Sequence, residues 1–127
     1  MPETDTDRAL RLRDDYRAGI HELLAPDFFP LEIAHSLTRA ERQGRITPAV
    51  GAVLLKDMLQ TLPNLQSPLG LLPRAYEISS QAKIGAYDCV YVALAEKEAC
   101  ELVTADDKLI RQLQPQFPFI IALASSP

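Results

Sequence analysis

The chain has 127 residues, enough for one domain that buries a real core without disulfides or a structural metal. Apolar residues make up 47% and charged residues 24%, and the net charge of −4 excludes a protein that coats nucleic acid through a sequence-wide basic field. It does not exclude a site for divalent cations, because bound metal reverses the local field of an acidic cleft.

In chain order, residues 1–7 are polar and turn-like. Ala9, Leu12, Tyr16 and Ile20 then recur at helical spacing, with Asp5 or Thr6 as a cap. Residues 21–25 read as a strand stopped by Pro26-Asp27. A helix over about 29 to 43 carries Ile33, Leu37 and Ala40 on its apolar face and ends at Gly44. Glu32, His35, Ser36 and Arg39 form an adjacent stripe on it. Thr47 caps a further helix that has Pro48 in its first turn and runs to about Leu62.

Residues 65–68 read as a short strand and 70–83 as a helix with Pro73 early and Ala75, Ile78 and Ala82 inward. Gly85 breaks the chain before a very apolar helix over 86–97. Residues 101–104 read as a buried strand, 106–112 as a short helix and 119–123 as a final strand. Short strands alternating with longer helices predict an α/β fold with a parallel sheet.

Three acids stand out by position. Asp88 is the only charge between Ile84 and Ala95, and Asp106 follows the strand residues Leu102-Val103, where ligands of open α/β sheets gather. Glu32 is in the first turn of its helix. Each also has a purely structural reading: an acid complementing a helix N-terminus, or a cap by Asp106 or Thr104. Gathered in one cleft, such carboxylates would require cations, and an all-oxygen site suits Mg²⁺ or Mn²⁺. Arg39, Arg42 and Arg45 can meet phosphates or form a solvated helix face. The two histidines, His21 and His35, lack partners at zinc-site spacing, and no phosphate-cradling glycine motif or nucleophile elbow occurs.

Residues 86–95, Ala-Tyr-Asp-Cys-Val-Tyr-Val-Ala-Leu-Ala, followed by Leu102-Val103-Thr104-Ala105-Asp106, resemble the C-terminal half of PIN domains, most of all the VapC-type toxins of bacterial toxin–antitoxin pairs. The proline-led turn at Pro26 entering a helix with Glu32 is similar to the family's second motif. Family members often carry asparagine where this chain has His35. The resemblance implies a PIN-like α/β/α sandwich with a mostly parallel central sheet, acting as a metal-dependent endoribonuclease. Glu32, Asp88 and Asp106 would be its catalytic and metal-binding acids, with Asp107 as an auxiliary. It further implies Mg²⁺ or Mn²⁺, an RNA substrate, a cognate antitoxin and a homodimer.

PIN domains open on an apolar strand ending in an aspartate. The polar start of this chain leads to the expectation that this strand and acid are missing, about ten to fifteen residues before Pro2-Glu3, with activity impaired. A non-catalytic module binding antitoxin or RNA is the alternative. The two cysteines fit no metal-ligand spacing, and Cys89 is expected in the core. With no leader pattern and no apolar run near the roughly 18–20 residues that span a bilayer, a cytoplasmic protein without membrane contact is expected.

Overall fold

The computed structural model describes residues 23–125, which divide into two compact units, 23–66 and 67–125. The helix expected at 9–20, the cap at Asp5 or Thr6 and the first residues of the strand expected at 21–25 lie outside the described residues.

The first unit is a β-α-α-β arrangement. Strand β1 (Leu24–Pro26) leads through a short turn into helix α1 (Phe29–Arg42), and helix α2 (Pro48–Gln60) returns the chain to strand β2 (Asn64–Gln66). The strands pair in parallel, Ala25 opposite Leu65. Their ladder extends into the turn, where the Asp27 amide donates to the Gln66 carbonyl at 2.8 Å.

Pro30 sits in the first turn of α1, where its missing N–H is no loss, and Gly44 follows the helix in the left-handed conformation at φ 73°. Thr47 caps α2 as expected, its hydroxyl accepting from the Val50 amide at 3.2 Å. The helix stops at Gln60, two residues short of the expected end, because β2 begins at Asn64 and the chain must turn first.

In the second unit a 3₁₀ turn (Leu69–Leu71) precedes helix α3 (Leu72–Ala82), then come α4 (Ala86–Glu98), β3 (Leu102–Thr104), α5 (Asp107–Leu113), β4 (Ile120–Ala122) and a closing 3₁₀ turn. The single helix expected over 70–83 is therefore split. Its opening is a 3₁₀ turn, with Pro73 at the start of the α-helical part. Strands β3 and β4 are parallel, Val103 opposite Ile121.

Helix α4 forms the centre of this unit: Cys89, Val90, Val92, Ala93, Leu94 and Ala95 are all buried. Against it pack Ala75 and Ile78 of α3, and Leu109, Leu113, Phe117 and Ile120 complete the core. A bidentate ion pair ties α3 to α4, with Arg74 Nε 2.8 Å and Nη2 3.1 Å from the Glu96 carboxylate. The same guanidinium lies 5.5 Å from the Phe117 ring centroid.

The strand expected to be buried at 101–104 is not. Val103 is 36% exposed, and Leu102 and Thr104 are half-buried. Among the described residues β3 pairs only with β4, so the sheet appears as two parallel pairs rather than one continuous ladder. The parallel α/β character expected from the sequence is present within each unit.

Candidate active site

Each sequence-selected acid stands at a helix N-terminus, where unpaired backbone N–H groups and the helix dipole favour a carboxylate. Glu32 is half-buried in the first turn of α1, six residues past the end of β1, and its amide donates to the Phe28 carbonyl at 3.1 Å. Asp88 is exposed in the first turn of α4, directly before the buried Cys89. Burial pushes the Cys89 thiol above its usual range and the Asp88 charge adds to this, so Cys89 is an inert core residue, as expected.

Asp106 is exposed and caps α5. Its Oδ1 accepts from the Lys108 amide at 3.0 Å and from the Leu109 amide at 3.2 Å. Its own amide donates to Thr104 Oγ1 at 3.1 Å, which fixes the turn between β3 and α5. Of the two caps the sequence offered, Asp106 is the one that caps α5, and Thr104 instead accepts from the backbone amide of that acid. Both capping bonds fall on one oxygen, so among the described residues Oδ2 keeps its lone pairs free to accept a cation. Asp107 follows in the first turn of α5, exposed, with its carbonyl accepting from Arg111 Nε at 3.3 Å.

Glu32 belongs to the unit 23–66, and Asp88, Asp106 and Asp107 to the unit 67–125. Among the described residues no group of three His, Cys, Asp or Glu side chains is gathered so as to hold a metal ion. Carboxylate is the donor type that suits a hard divalent cation, and within the unit 67–125 Asp106 offers one oxygen beyond its two capping bonds among the described residues. His35, where an asparagine is common in the resembled family, is exposed, and its carbonyl accepts from Thr38 Oγ1 at 3.0 Å. The Arg74–Glu96 clasp had no sequence signal, because its partners are 22 positions apart on different helices.

No helix among the described residues is long and apolar enough to cross a membrane. Residues 2–113 match the model of the PIN domain family. The chain is 36% identical over 99 residues to VapC ribonuclease Mb0985 of Mycobacterium bovis, covering 78% of this chain and 76% of the relative. Ribonuclease VapC9 of Mycobacterium tuberculosis gives the same figures. Ribonuclease VapC3 of Pyrobaculum aerophilum is 29% identical over 102 residues, with 79% and 75% covered. With strands and helices of the expected kind and a family match across most of its length, the chain belongs to the PIN-domain family, as a VapC-type member.

Proposed function

We propose that this protein is the ribonuclease toxin of a toxin–antitoxin pair and cleaves RNA phosphodiester bonds with the help of Mg²⁺ or Mn²⁺. Glu32, Asp88 and Asp106 are the acids assigned to hold the cation, with Asp107 as an auxiliary. The observation that carries the reading is Asp106: Thr104 and the α5 amides fix it at the carboxyl end of a parallel strand, and one carboxylate oxygen is left to bind. The relatives named as VapC ribonucleases support the same activity.

A divalent cation bound there would polarise the phosphodiester and lower the pKa of an attacking water. The chain's own contribution is placement. The N-termini of α1, α4 and α5 carry Glu32, Asp88 and Asp106, and the cap keeps Asp106 from swinging away. The test is digestion of total RNA by the purified chain with Mg²⁺ or Mn²⁺. Cleavage is expected to stop with EDTA and in Glu32→Gln, Asp88→Asn and Asp106→Asn; full activity in any of these variants removes that residue from the site.

A second reading, a binding module without chemistry, draws on the same residue, since capping alone accounts for an aspartate at position 106. Normal antitoxin binding with no cleavage under any metal would favour it. A cytoplasmic setting accords with two cysteines that are both unpaired, Cys89 and Cys100. Self-association is assigned to α2, where Val50, Val53 and Leu54 are exposed at i, i+3 and i+4. Sedimentation of Val53→Glu as a monomer, against a wild-type dimer, tests that assignment.

A further inference from the structure

An acidic chain that binds a polyanion must gather its cations locally. Arg39, Arg42 and Arg45 are all exposed at the C-terminal end of α1. The helix repeat puts Glu32, His35, Arg39 and Arg42 on one stripe, at i, i+3, i+7 and i+10, about 15 Å from end to end. After the left-handed Gly44, the Arg45 amide donates to the Ala40 carbonyl, and Arg45 Nε donates to Gln43 Oε1 at 2.9 Å. Gln43 is one turn past Arg39 on the same side, so the third guanidinium is drawn back toward the stripe with its terminal nitrogens uncommitted among the described residues.

The acid in that turn does not cancel them. Glu41 is displaced about 160° around the helix from Arg39. Its carboxylate lies against α2, where a Cβ on Gly51 would come 3.0 Å from Glu41 Oε2. Among the described residues, neither salt bridge involves any of the three arginines.

We infer that this stripe is the track that grips the phosphates of a single RNA strand beside the cleavage site, entering at Arg42 and Arg45 and leading to Glu32. The inference rests on the nuclease reading above. Guanidinium forks bind phosphate bidentately, whereas an apolar partner helix would find no matching surface on this stripe.

The test is titration of the full chain with a fluorescein-labelled single-stranded RNA of mixed sequence, in EDTA so that no cleavage intervenes, at several salt concentrations. Replacing all three arginines, Arg39→Gln with Arg42→Gln and Arg45→Gln, is expected to weaken binding at least about tenfold. The slope of log affinity against log salt should fall by about 2, at about 0.7 per phosphate contact. Lysines at the three positions should restore most of that slope, because a point charge still neutralises phosphate. An unchanged unfolding temperature in the glutamine variant shows that the loss is not misfolding.

Wild-type affinity and slope in the glutamine variant overturn the inference and leave these arginines to solvent or to an acidic protein partner. A wild-type chain that does not bind RNA overturns it as well. Cleavage by wild type and Asp88→Asn, assayed alongside with Mg²⁺ at subsaturating RNA, separates the two claims. Arginine-dependent binding without any wild-type cleavage ends the nuclease reading and keeps the track. Cleavage by the glutamine variant at the wild-type rate ends the track alone.

Discussion

Asp106 is asked to do two things, and two substitutions separate them. Its Oδ1 accepts from the amides of Lys108 and Leu109, satisfying two of the donors at the start of the seven-residue α5. Asparagine keeps an oxygen in the same place and caps about as well as aspartate; alanine does not, at a cost of about 1 kcal/mol. For a chain of this length that is a fall of about 4 °C in unfolding temperature. Asp106→Asn should therefore unfold within about 1 °C of wild type, and Asp106→Ala about 4 °C lower. Both variants remove the anionic oxygen, and RNA cleavage should drop at least about a hundredfold in each. Thermal unfolding followed by circular dichroism, with a cleavage assay on the same preparations, reads both quantities. Equal destabilisation by Asn and Ala refutes the capping argument. Full activity of Asp106→Asn refutes the role in catalysis while leaving the cap intact.

Leu113 is 1% exposed, and Leu113→Ala should cost about 2–5 kcal/mol in urea unfolding, a large share of a domain's stability; a loss under about 1 kcal/mol would mean that this core is not packed as described. Arg74 holds the Glu96 carboxyl below its usual range, chiefly through their hydrogen bond, so the pair's contribution is present above the ordinary glutamate pKa and is lost as pH falls through the lowered folded value. Because both side chains are more than a third exposed, the pair contributes at most about 1 kcal/mol; unfolding temperature against pH should fall less steeply on the acid side in Glu96→Gln, and identical acid limbs would contradict this. In α2, Gly51→Ala places a methyl 3.0 Å from Glu41 Oε2, the mobile end of a side chain that can shift, and the gain in helix propensity should leave a net stabilisation of about 0.5 kcal/mol, read by urea midpoint; destabilisation would show that Glu41 is held in place.

Helices were the legible part of this fold. Thr47-Pro48 announces the start of α2 and Gly44 the stop of α1, because caps and left-handed positions are written in single residues. The burial of α4 was also legible, since Asp88 is the only charge over its first two and a half turns. Strand burial was not. The run Leu102-Val103 reads as core by composition, yet a strand's burial depends on which strands pair beside it, and no local pattern records that.

The candidate site was legible only in part. Position alone left Asp106 divided between cap and ligand, and the structure shows the cap with an oxygen remaining. The proposed grouping of Glu32 with Asp88 and Asp106 rests on family resemblance, because helical periodicity says nothing about acids on different elements. Likewise the return of Arg45 toward α1 depends on the Gly44 turn and the Gln43 side chain, which spacing alone does not reveal.

Glu32, Asp88 and Asp106 are proposed to serve the same cation. Titrating Mn²⁺ into the wild-type chain and into Glu32→Gln, Asp88→Asn and Asp106→Asn, followed by the loss of free-ion electron paramagnetic resonance signal, tests this directly. Saturable binding by wild type that weakens in all three variants is the result expected. Wild-type binding retained in any one of them, with the protein folded, would contradict a shared site.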